Sequence, residues 1–249
     1  MNTTFFRIDL MRQLRDYGNL IFVLIMPTTM YIIFGATQSF GDDPAGNANV
    51  SFYIMASMAA YGGALSAASI AGTAAIEQMQ GWGRQLGLTP ASGRRIVATK
   101  VAVALTITAL AITFVFVTGA LTGARADSPS VWVFTFLLIL GGSSIFALLG
   151  YAIAVTFKSD SATGIASGAI VLLSFLGNVF TPLSGTMLTI AKFTPLYGYV
   201  SLARWPQLEG VVLNEGSDEL WLILANITVW IALFAALAVL GTRRGRQRR

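Results

Sequence analysis

Charge is almost absent from long stretches of this chain, and that constrains its fold more than any other feature. Six runs carry no Asp, Glu, Lys or Arg: residues 17–41, 44–76, 101–124, 128–157, 161–191 and 220–242. The shortest has 23 residues and the longest 33, and the next gap, 193–203, has only 11. A helix needs about 20 apolar residues to cross the hydrocarbon core of a bilayer at 1.5 Å per residue. Each run can hold one such helix, and none holds two comfortably. Period-2 alternation, the mark of a transmembrane β-strand, is missing from runs such as Val131–Leu140. The fold class expected is an all-α membrane protein with six transmembrane helices, at 20–38, 51–75, 97–120, 131–156, 162–180 and 220–241. Composition agrees. Hydrophobic residues make up 55% and charged residues 11% of 249, against about 25% charged in soluble domains.

The remaining charges set the orientation. Six spans put both termini on one side. Thirteen of the 16 basic residues fall there: Arg7, Arg12, Arg15, Arg84, Arg94, Arg95, Lys100, Lys158 and the five arginines of the tail at 242–249. Only Arg125, Lys192 and Arg204 fall on the other side, with seven of the eleven acids. Basic loops stay in the cytoplasm, so both termini are expected to be cytoplasmic. The basic tail is then a consequence of topology, and no nucleic-acid partner is expected.

Residues 1–18 do not read as a signal peptide, because Asp9 and Asp16 interrupt them. Phe6, Leu10, Leu14 and Tyr17 recur at helical spacing between charged residues, which suits an amphipathic helix in the cytoplasmic interface. Pro27 bends the first span. The second span is rich in Gly, Ala and Ser, which permits close helix approach. Gly119/Gly123 and Gly164/Gly168 are small-residue pairs at the same kind of spacing. Between the fifth and sixth spans, 181–219 is still apolar but divided by Pro182, Pro195 and Pro206 into pieces too short to span. Such pieces suit re-entrant or interfacial helices, with Tyr197, Tyr199 and Trp205 at the outer interface.

The missing chemistry narrows function further. The chain has no His and no Cys, which excludes His- or Cys-ligated metal, a Cys nucleophile, a Ser-His-Asp triad and disulfides. No span carries an ionisable residue at its middle, which argues against a proton relay, a charged-ring channel or a voltage sensor. No P-loop is present: Gly87–Gly93 has no following Lys. The chain is expected to have no enzyme activity and no cofactor of its own. Na⁺ coupling through hydroxyls and carbonyls of broken helices stays open, and energy for work is expected to come from another subunit.

Three segments carry a family resemblance over nearly the whole chain. One is the amphipathic helix before span 1. The second is Glu77 followed by Arg84-Gln85-Leu86-Gly87-Leu88-Thr89-Pro90-Ala91-Ser92 and Lys100. The third is Gly177-Asn178-Val179-Phe180-Thr181-Pro182 followed by Phe193-Thr194-Pro195-Leu196-Tyr197. Together they resemble the ABC-2 family of transporter permeases, with the type V exporter fold, in its drug- and antibiotic-resistance branch. The family's usual Leu-Pro pair between the two prolines is absent; the stretch reads Gly185-Thr186-Met187-Leu188.

The resemblance implies half of an ABC exporter in the cell membrane. Residues 1–18 would be an elbow helix, 76–92 a cytoplasmic coupling helix and 181–219 an outer re-entrant segment. Partners would be a dimer of P-loop ABC ATPase subunits, which hold the ATP and Mg, and a second permease copy, as a homodimer in preference to a heterodimer. Glu77, Arg84, Gln85, Leu86, Leu88, Thr89 and Pro90 would couple to the ATPase, with Glu77 paired to a base such as Arg12 or Arg15. Spans 1, 2 and 5 would line the cargo path, making Tyr53, Met55, Tyr61, Asn178 and Phe180 candidates. Pro182, Pro195 and Tyr197 would shape the re-entrant segment. An aromatic, Met-containing surface with few charges suits a hydrophobic or amphiphilic cargo such as a drug, antibiotic or lipid. Two alternatives are a permease for a lipid-linked polysaccharide and a non-transporting membrane sensor or anchor.

Overall fold

A computed structural model describes residues 3–80, 93–159, 161–212 and 216–246. Helices dominate it. In chain order they are α1 (Thr3–Arg15), α2 (Tyr17–Tyr31), α3 (Val50–Met79), α4 (Gly93–Leu121), α5 (Pro129–Gly142), α6 (Ser144–Phe157), α7 (Ala162–Leu176), α8 (Gly185–Ala191), α9 (Pro195–Leu208) and α10 (Leu220–Arg246). Five stretches are long and apolar enough to cross a membrane: Tyr17–Ala36, Val50–Met79, Arg95–Leu121, Pro129–Phe157 and Leu220–Thr242. The chain is a multi-pass membrane protein by these helices.

The segment read as a fifth span at 162–180 is shorter than expected. Its helix, α7, has 15 residues and stops at Leu176, below the length that spans a bilayer unaided. Gly177 packs against Leu196, and Asn178 takes a left-handed conformation with φ 59°. The Asn178 side-chain oxygen accepts the Leu183 amide at 2.8 Å, so the chain turns there. Asn tolerates this conformation better than most residues.

α3 is the hub. It packs against α2, α4, α5, α6, α7 and α9, and 89% of its membrane-length window is buried, against 17% for α10. The small side chains of α3 make this possible. A Cβ at Gly62 would sit 3.0 Å from Pro27 Cγ of α2. At Gly150 of α6, a Cβ would overlap the backbone of Ala68. The pairs marked from spacing behave differently: Gly119 faces Met55, while Gly123, Gly164 and Gly168 have open space around the missing Cβ. The tightest helix contact therefore comes from glycines outside those pairs.

Several local features refine the expected elements. Span 1 ends in a π-helical turn, Ile32–Ala36. A two-residue hairpin, Pro44–Ala45 paired antiparallel with Ala48–Asn49, precedes α3. The fourth span is broken at Ser143 between α5 and α6. There the Ser143 and Ser144 hydroxyls donate to the carbonyls of Leu140 and Gly141, each at 2.7 Å, and the Tyr199 ring fills the space above Gly142. Side-chain bonds to helix carbonyls of this kind bend helices. Pro206 does not divide the outer segment, because α9 runs through it to Leu208. Tyr197 and Tyr199 are buried in the protein, not placed at an interface with lipid.

The described parts of the two terminal helices reach the same end of the bundle. Phe6 and Leu10 of α1 pack against Ile70, Val103 and Ile107. Gly241 of α10 abuts Val155, which clusters with Ala75 and Ile76 at the end of α3. Asp9 and Gln13 are buried with that face of α1, and Ile8 and Met11 are exposed. Phe6 and Leu10 of the apolar stripe thus rest on the bundle, while Tyr17 at its end stays exposed.

Candidate functional site

At the end shared by α1 and α10, four charges from three helices meet. Asp9 and Arg12 come from α1, Glu77 from the last turn of α3 and Lys100 from the start of α4. Lys100 Nζ lies 2.7 Å from Asp9 Oδ1 and 2.8 Å from Glu77 Oε2. Arg12 Nη2 lies 2.9 Å from Asp9 Oδ1 and also pairs with Glu77. Asp9 and Glu77 are buried, and two cations balance them. A buried charge must be paired in this way to be tolerated. Arg12 is one of the two bases expected to pair with Glu77; Lys100 and Asp9 complete a square that spacing alone did not reveal. α3 and α4 flank residues 80–92, so the cluster clamps the roots of that segment to α1. Arg84, Gln85, Leu86, Leu88, Thr89 and Pro90 lie outside the described residues.

The opposite end holds a second polar centre. Arg204 of α9 is buried. Its Nε and Nη2 donate to Ser57 Oγ at 3.0 and 2.5 Å, and Nη2 donates to the Asn178 carbonyl at 2.9 Å. The guanidinium carbon stands 3.9 Å from the Tyr53 ring centroid, a cation–π contact. The left-handed turn at Asn178 presents its carbonyl to this site. Burial lowers the Arg204 pKa from its ordinary value. Beside it, the Tyr197 hydroxyl donates to Asp218 Oδ2, and Lys192 Nζ lies 2.6 Å from Asp218 Oδ1. Burial raises the Tyr197 pKa, and the Asp218 carboxylate adds to the rise. Tyr53, Asn178, Tyr197, Arg204 and Asp218 line one small cavity.

Structure therefore brings Tyr53, Asn178 and Tyr197 together, with Arg204 at their centre. From charge alone Arg204 is one of three basic residues on the sparse side. Pro195 is the first residue of α9, with Thr194 capping the helix by accepting the Tyr197 amide at 3.3 Å. Pro182 is exposed in the turn before α8. Met55 is fully buried against Gly119. Tyr61, also fully buried, meets the half-buried Phe180 edge-on at 5.3 Å. Phe180 in turn meets the exposed Phe175 at 4.9 Å. These rings lead from the surface of α7 to the core.

The end nearest the hairpin is tied together by Asn49. Its side chain accepts the amides of Phe52 and Arg125 at 3.0 and 2.9 Å, and donates to the Gly123 carbonyl at 2.8 Å. Gln207 Nε2 donates to the carbonyls of Ala45 and Asn49. α3, α4 and α9 are thereby joined at one cap.

A curated protein of Bacillus subtilis (strain 168), named "Putative transport permease YvfS", is 27% identical to this chain over 234 residues. The match covers 92% of each chain. The chain resembles a transport permease. No protein-family model matches it, and no solved structure does. Among the described residues no group of three or more His, Cys, Asp or Glu is arranged to hold a metal ion.

Proposed function

We propose that this chain is the transmembrane subunit of an ATP-driven ABC exporter of the ABC-2 type, working with a separate P-loop ATPase. Two ATPase subunits hold the ATP and Mg, two permease copies form the path, and the cargo is a hydrophobic or amphiphilic compound such as a drug, antibiotic or lipid. The chain crosses the cell membrane six times, α7 completing the count with the turn that follows it, and both termini face the cytoplasm.

The observation that carries this reading is the Asp9–Arg12–Glu77–Lys100 cluster. It binds α1 to the two helices that frame residues 80–92, the segment with the ABC-2-like motif. A push delivered to that segment passes into α3 and α4 through charged contacts, not through a slack loop. The permease-like relative supports the transport class. The ring series Phe175, Phe180 and Tyr61 supports an apolar cargo. α7 leaves Leu172 and Phe175 exposed and has open space at Gly164 and Gly168, which fits contact with a second copy.

The test is co-purification. The chain is co-expressed with candidate P-loop ATPases of its own genome, and the membrane complex is isolated through a tag on the chain. Retention of an ATPase that hydrolyses ATP, lost on Leu86→Asp, supports the reading. A chain that retains no ATPase under any of these pairings overturns it. A cargo panel of drugs against a lipid-linked glycan then separates the two transport classes.

A further inference from the structure

Arg204 is a full positive charge buried in a membrane protein, and every group among the described residues that bonds or stacks with it is neutral. Ser57 Oγ takes Nε and Nη2, the Asn178 carbonyl takes Nη2, and the Tyr53 ring lies against the guanidinium face. Among the described residues Arg204 forms no ion pair. Asp218 lines the same cavity but is already committed, with one oxygen to Lys192 and the other to Tyr197. Burying an unpaired charge is among the most expensive things a fold can do.

Space beside the guanidinium answers the question of what balances it. The cavity measures about 30 Å³, room for about two water molecules. That is too small for a phosphate ester or a drug-sized anion. The two-nitrogen edge of the guanidinium is occupied by Ser57, which leaves no fork for bidentate carboxylate recognition. Nη1 is the nitrogen engaged by neither Ser57 nor Asn178. One small sphere of negative charge meets these limits.

We infer that this cavity is a binding site for a single small monovalent anion of halide size, chloride being the natural occupant, held by Arg204 with Tyr53 and Ser201 in the wall. The anion neutralises Arg204 and locks α9 to α3 and to the turn at Asn178. This site is independent of the ATPase reading; it needs only the fold described above.

The test uses the purified full chain in detergent, with sodium chloride, sodium bromide and sodium gluconate at one ionic strength. Chloride and bromide are expected to raise the midpoint of thermal unfolding saturably, by several degrees over gluconate. Arg204→Gln is expected to remove the difference. Crystals grown in bromide are expected to give an anomalous peak within contact distance of Arg204, a readout that does not depend on any variant folding. Superimposed halide and gluconate curves, an anomalous map empty at this position, or halide dependence unchanged in Arg204→Gln would each overturn the inference. Glu215 lies outside the described residues and gives a further arm. If the wild type ignores halide and Glu215→Gln becomes halide-dependent, the counter-ion is that carboxylate and the inference is overturned.

Discussion

Lys100 Nζ lies 2.7 Å from Asp9 Oδ1, joining residues 91 positions apart in sequence. The bond fixes the N-terminal helix to the start of α4, and the same ammonium reaches Glu77 at the end of α3. Removing one partner of a buried ion pair costs about 3–5 kcal/mol. Lys100 keeps 18% of its side-chain exposure, so Lys100→Met is expected to destabilise by roughly 3 kcal/mol or less, read as a lowered unfolding midpoint in detergent. Arg12 is 41% exposed, and Arg12→Met should do less. The exchange Glu77→Lys with Lys100→Glu should recover part of the loss that either change causes alone.

Gly150 allows α6 to touch the backbone of α3 at Ala68. Gly150→Val is expected to separate the two helices and reduce the monodisperse fraction recovered in detergent to a small share of wild type. Gly168→Ala has open space and should leave that fraction within error. Equal recovery of the two variants would refute the assigned contact.

Tyr197, Asp218 and Lys192 staple α9 to the segment before α10. Tyr197→Phe strands an acceptor on a buried carboxylate, which costs about 1–3 kcal/mol. Asp218→Asn should destabilise comparably and make Lys192 more reactive to amine reagents. Thermal unfolding together with mass-spectrometric labelling at Lys192 checks both.

The chain has no cysteine, so single cysteines report topology without background. Ser159 and Ser130 are both exposed, at opposite ends of the α5–α6 pair. With cytoplasmic termini, Ser130→Cys should react with a membrane-impermeant maleimide in intact cells, and Ser159→Cys only after lysis. The reverse pattern would invert the proposed orientation.

The long helices were legible because lipid forbids charge over the length of a span. The expected 97–120 became Gly93–Leu121 and the expected 220–241 became Leu220–Arg246, each helix running on into the charges that flank its apolar run. Interruptions within apolar segments were not legible. Nothing in hydrophobicity distinguishes Ser143, where a hydroxyl bends the chain, or Asn178, where a left-handed residue ends α7 early. Charge counting assigns Arg204 a side of the membrane but says nothing of its burial among Tyr53, Ser57 and Asn178. Glu77 was found through its motif, and Arg12 only as one of two bases, with Arg15, that the resemblance offered it. Lys100 was only the last residue of that motif, because a partner across 91 residues leaves no periodic trace.

α3 is a single unbroken helix of 30 residues, about 45 Å long at 1.5 Å per residue. Its last turns carry Glu77, in the four-charge clamp, and its first turns carry Tyr53 and Ser57, against Arg204. A rod gripped at both ends has no slack in between. Any tilt imposed at Glu77 must therefore be repaid at Arg204 with opposite sign about the crowded midpoint where Gly62 and Gly63 meet Pro27 and Tyr199. The two polar centres, far apart and joined through α3 alone, are the two arms of one lever.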